Sequence, residues 1–192
     1  MKTLFAALCL LITPFTYAKS ADWSGVFKSW EQGCRLESPP FSELESSLQE
    51  FIDQKTAPQA DVRPSIKLPA AYRVQAASRP TFHRVTIGKS EHNDTAYTID
   101  QVRLALKGTY YGLPVVHYSH TFHIETAGIV HYRLLLDTPT AQARRVLAGK
   151  YKKRRFANPV LEGETEILQA ELLPANSNGK QQTVLECVMT YG

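Results

Sequence analysis

Residues 115–124 read VVHYSHTFHI and residues 129–136 read IVHYRLLL, and these two runs decide the fold. In the first, Val116, Tyr118, His120, Phe122 and Ile124 alternate with His117, Ser119, Thr121 and His123. A period of two is the mark of a strand, whose successive side chains point to opposite faces. Thr126-Ala127-Gly128 is a short turn, so the two runs form a hairpin. The same period extends upstream, where residues 82–87 (FHRVTI) and 96–106 (AYTIDQVRLAL) read as strands, the second with Val102, Leu104 and Leu106 on one face. Downstream, strands near 165–173 and 182–190 flank a polar turn over residues 174–179.

Helical spacing occupies the rest. Trp23, Val26, Phe27, Trp30 and Cys34 predict an amphipathic helix over 22–34, ended by Ser38-Pro39-Pro40. Ser42 and Glu45 form a capping box for a second helix to about residue 55, with Leu44, Leu48, Phe51 and Ile52 on its apolar face. Thr138-Pro139 starts a third helix, which runs to a C-cap at Gly149. Residues 56–80 carry Pro58, Pro64, Pro69 and Pro80 and read as an extended connector pinned by Ile66, Leu68, Tyr72 and Val74. The order helix, helix, four strands, helix, two strands predicts an α+β fold. Its antiparallel, curved sheet has about six strands, with two N-terminal helices and one helix inserted before the last hairpin.

The first eighteen residues set the expected compartment. Lys2, the short apolar run Leu4–Ile12 and Thr16-Tyr17-Ala18 have the pattern of a bacterial secretory signal peptide over 1–18. Residues 19–192 then form a single periplasmic or secreted domain. Cys9 falls inside the signal, leaving Cys34 and Cys187, and in an oxidising compartment that pair predicts a disulfide. No later segment approaches the roughly 20 apolar residues of a membrane span, so the chain is expected not to cross one.

Charge is unevenly spread over a chain whose formal net charge is +4. Residues 22–61 hold eight acids against Lys28, Arg35 and Lys55, whereas residues 138–161 hold seven cations and no acid. Five of those seven fall within Lys150-Tyr151-Lys152-Lys153-Arg154-Arg155-Phe156. Such a run suits an acidic protein surface or another anionic envelope component; nucleic acid is not an expected partner outside the cytoplasm.

The chemistry-bearing residues assemble into no recognisable active centre. His117 and His123 share a face but lie six residues apart, near 20 Å at about 3.3 Å per residue. His120 points the other way, and a pairing with His131 supplies too few ligands for a metal. Neighbouring Ser119 and His120 point apart, which is wrong for nucleophile and base, and no G-x-S-x-G, H-E-x-x-H or phosphate-binding glycine loop occurs. No catalytic residue, metal or cofactor is therefore assigned. The expected function is that of an exported, non-enzymatic binding protein of the bacterial envelope. Most concretely, it is an inhibitor or immunity-type protein covering an envelope-acting toxin or hydrolase. The alternatives are an envelope-assembly factor, or a small-ligand carrier or enzyme whose site lies in the sheet concavity, lined by Tyr110, Tyr111, Tyr118 and His120.

Overall fold

The computed structural model describes residues 20–32, 34, 38–56, 64–87, 97–123, 129–151 and 169–190. The segment 1–18 and residues 152–156 of the basic run lie outside the described residues, as does the turn at 126–128.

Seven strands form one antiparallel sheet: β1 (Thr81–Ile87), β2 (Tyr97–Ala105), β3 (Thr109–Tyr110), β4 (Leu113–His123), β5 (Ile129–Leu136), β6 (Gln169–Ser177) and β7 (Lys180–Thr190). Their spatial order is β1-β2-β4-β5-β7-β6, and the two-residue β3 pairs with β4. With helices α1 (Pro39–Thr56), α2 (Ala70–Arg73) and α3 (Thr140–Leu147), this is the expected α+β fold, its sheet open rather than closed.

One face of the sheet carries the core. Across it, Val102, His120, Tyr132, Cys187 and Ala170 stand in one row of strand partners, and Leu104, Tyr118, Leu134, Leu185 and Leu172 in the next. Onto these rows α1 lays Phe41, Leu44, Leu48 and Ile52, all buried. Their spacing keeps one stripe facing inward, and each is worth about 1.5–3 kcal/mol of burial. Between helix and sheet lies an aromatic cluster in which Phe27 packs 5.0 Å from Trp30, 5.6 Å from Phe41 and 5.4 Å from Tyr118, centroid to centroid.

The N-terminal segment departs from expectation. Where one helix is expected over 22–34, residues 22–32 form two short 3-10 turns, Trp23–Gly25 and Lys28–Gln32. The spacing of Trp23, Val26, Phe27 and Trp30 reflects burial, since all four are fully buried. Four bulky groups in eight residues are accommodated by breaking the helical ladder, with Asp22 accepting from the Ser24 amide at 3.0 Å. A Cβ at Gly25 would come within 2.6 Å of the Tyr72 hydroxyl, so a larger residue there makes that side chain shift. Cys34 bonds to Cys187 with 5.6 Å between Cα atoms, closing 153 residues of sequence. In the chain-entropy account such a loop contributes about 5 kcal/mol.

Four further expectations are corrected. Helix α1 begins at Pro39, the favoured first helical residue. Ser42 therefore sits inside the first turn, its hydroxyl donating to the Pro39 carbonyl, and Glu45 reaches the sheet instead of an amide. In the connector, Leu68 is buried and Ile66 and Tyr72 pack on the core, but Val74 is 76 % exposed. Its segment is held by the backbone instead: the Lys107 amide donates to the Gln75 carbonyl and the Ala77 amide to Ala105. In β4 a bulge between Val115 and His117 shifts the register, so Val115 and Tyr118 both face inward and Val116 leaves the apolar face. The last hairpin turns on Asn178 and Gly179 alone; β6 runs through Pro174, which a sheet edge tolerates because one side needs no donor.

Candidate binding surface

The concave side of the sheet is full. Tyr110 and Tyr118 are fully buried and His120 is 6 % exposed, so these residues are core and line no open chamber. The Tyr118 hydroxyl donates to Glu45 on α1, and His120 Nδ1 lies 2.9 Å from the other oxygen of that carboxylate, with the His120 ring 4.8 Å from Tyr132. Burial drives the Tyr118 pKa well above its usual value, with the Glu45 charge acting in the same sense.

The opposite face is mixed, with Ala105, His117, Leu135, Val184 and Leu173 in one row and a polar row beside it. Arg103, Ser119, Arg133, Glu186 and Glu171 occupy one row across five strands. Arg133 Nε donates to Glu186 at 2.5 Å, and His131 Nδ1 lies 2.9 Å from the same oxygen. Burial would raise the Glu186 pKa, but His131 and Arg133 outweigh it and hold the carboxyl below the usual range. His117 is lowered to about 4 by burial and by the neighbouring Arg103 cation. Among the described residues, no three His, Cys, Asp or Glu side chains come together as a metal site, and no helix is long and apolar enough to cross a membrane.

The basic end is built by α3. Its Ala143 and Leu147 are buried against the β6–β7 hairpin, which leaves Arg144 and Arg145 exposed. Gly149 does not adopt the left-handed cap expected of it. The chain coils on, with the Lys150 and Tyr151 amides both donating to the Leu147 carbonyl at 2.9 and 3.0 Å. That coil turns Tyr151 inward. Its ring is 1 % exposed and its hydroxyl lies 2.7 Å from that of Tyr110, burial raising the pKa of both. Tyr151 is thus a root of the basic segment in the core, not an aromatic on its surface.

Lys150 remains outside, its Nζ 4.7 Å above the Tyr111 ring. Tyr111 is half-buried, donates its hydroxyl to Glu31 and packs edge-on to Tyr110 at 4.9 Å. Tyr111 and Glu31 were invisible as parts of this surface in sequence, since they lie 39 and 119 residues from Lys150. The dipeptide Tyr111-Gly112 was the available signal, because an aromatic before glycine at a tight turn is unusual chemistry for that position. The chain matches no protein-family model, and no curated protein or solved structure is significantly similar to it.

Proposed function

We propose that this chain is an exported, non-enzymatic binding protein of the bacterial envelope, periplasmic or secreted, that receives an acidic protein surface at its basic end. In its most concrete form it is an inhibitor or immunity-type protein that covers an envelope-acting toxin or hydrolase. The observation that carries the reading is the end of α3. Arg144, Arg145 and Lys150 are exposed with no acid in residues 138–161, on a support rooted in the core by Tyr151. A basic patch on a support fixed in the core steers an oppositely charged partner and fixes its register. The disulfide supports an oxidising compartment. The filled concavity weighs against a carrier or enzyme using Tyr110, Tyr118 and His120.

The test is capture from periplasmic extract by mature, oxidised protein, followed by association kinetics of the partner recovered. Arg144→Glu combined with Arg145→Glu should slow association at least about tenfold at low salt. The effect should fade toward 1 M salt, where the Debye length is about 3 Å. A partner whose association ignores these charges, or a co-purified small molecule in place of a protein, would overturn the proposal.

A further inference from the structure

Among the described residues, two tight hairpins share one pattern of φ values and differ widely in chemistry. In the β6–β7 hairpin, Ser177 pairs with Lys180 across Asn178 (φ 51°) and Gly179 (φ 78°). In the β3–β4 hairpin, Tyr110 pairs with Leu113 across Tyr111 (φ 51°) and Gly112 (φ 77°). Two positive φ values in a two-residue loop are the pattern of a type I′ turn, for which Asn-Gly is strongly preferred. The last hairpin has that pair. The other places a tyrosine where its Cβ is crowded by its own backbone. A residue that breaks a local rule of this kind marks a place where its side chain is needed.

What the Tyr111 side chain does is specific. Its hydroxyl is tied to Glu31 on the second 3-10 turn, and its face lies beneath Lys150, the first cation of the basic run. The backbone of Lys150 is fixed at the same point by the end of α3 and by the buried Tyr151. Three segments distant in sequence therefore meet at Tyr111: the second 3-10 turn through Glu31, the β3–β4 turn itself, and the end of α3 through Lys150.

We propose that Tyr111 is a positioning residue of the basic surface, held in an unfavourable turn conformation because its ring seats Lys150 and its hydroxyl braces that seat against Glu31. The proposal takes its functional meaning from the binding reading above. An ordered cation loses less conformational freedom when a partner docks, so the seat raises affinity without touching the partner. The cation–ring contact itself, at an exposed site, corresponds to about two- to fivefold in an equilibrium.

The test uses the full, oxidised protein with Tyr111→Asn and Tyr111→Phe. The first substitution installs the favoured turn residue and removes the seat; the second keeps the ring and loses only the brace. Acylation of lysines by an amine-reactive ester, read peptide by peptide, reports Lys150 against the exposed Lys107. In Tyr111→Asn, Lys150 labelling should rise about threefold relative to Lys107, while Tm stays within about 3 °C of the parent because turn relief offsets lost contacts. Tyr111→Phe should label between the parent and Tyr111→Asn, because the ring remains but nothing braces it against Glu31; labelling equal to the parent's would overturn the brace. Binding of poly-L-glutamate should weaken about two- to fivefold in Tyr111→Asn and by a smaller factor in Tyr111→Phe. Unchanged Lys150 labelling overturns the seat, and a Tm fall well beyond the stated range reassigns Tyr111 to packing. Raised labelling with unchanged poly-L-glutamate affinity severs the seat from binding and overturns the proposal. A parent protein that ignores poly-L-glutamate overturns the binding reading instead, and the labelling result still decides the seat.

Discussion

His117 shows how one residue couples the folded state to pH. Its ring is half-buried on the outer face of the sheet beside Arg103, and both influences disfavour the imidazolium, lowering its pKa from 6.5 to about 4. The unfolded chain therefore takes up a proton near pH 6.5 that the folded chain refuses until about pH 4. This contribution to stability is complete above pH 6.5 and is lost as pH falls through that window. We expect the His117 ring to titrate near pH 4 by NMR. We also expect His117→Gln to flatten the dependence of the urea midpoint on pH between about 6.5 and 4; a slope identical to the parent's would show that the ring does not carry it. Glu45 is the second residue of consequence. It receives the Tyr118 hydroxyl and faces His120, so Glu45→Ala strands polar groups in the core and should cost about 1–3 kcal/mol in chemical denaturation. Glu45→Gln retains an acceptor for Tyr118 and should cost less.

Elements differ in how plainly they are written in the sequence. The strands were legible because a half-buried sheet enforces a period of two, and the runs 82–87 and 96–106 became β1 and β2 almost residue for residue. Helix α1 was legible from Leu44, Leu48 and Ile52, and α3 from Thr138-Pro139. What escaped was set by tertiary packing. The spacing 23, 26, 27, 30 suits an α-helix and a 3-10 turn alike, and the demand to bury two tryptophans together decided between them. The β4 bulge has no residue signature, since Val115 and Val116 are interchangeable to any local rule and only the pairing with Leu136 and Leu135 chooses one. Of the candidate surface, the cations were evident as a charge run, whereas the inward turn of Tyr151 and the platform of Tyr111 depend on contacts across 41 and 39 residues. An element-level prediction follows from α1. Leu44 and Leu48 are fully buried over the sheet, and Leu48→Ala should cost about 2–5 kcal/mol by denaturation, with the larger figure if the aromatic cluster cannot close over the gap. A loss under 1 kcal/mol would mean that α1 is not anchored there.

For the molecule as a whole, the disulfide and the sheet order act together. Cys34→Ser should lower stability by roughly 2–5 kcal/mol under oxidising conditions, and mass spectrometry of unreduced protein should find neither Cys34 nor Cys187 alkylatable. Two free thiols in native material would contradict the bridge. The sheet order carries a consequence for biosynthesis. Strand β7 lies between β5 and β6, so a central strand of the sheet is made after the six other described strands. A nascent chain that has reached only Ser177 has α1 and the β1–β2–β4–β5 ladder within reach. It still lacks the partner for the whole edge of β5 and for all of β6, along with Leu185 and Cys187 of the core. Such a chain presents two open edges and is a poor match for a stable intermediate but a good one for a holding chaperone. Completion of the sheet then waits on the synthesis of β7, and no earlier strand can stand in for it.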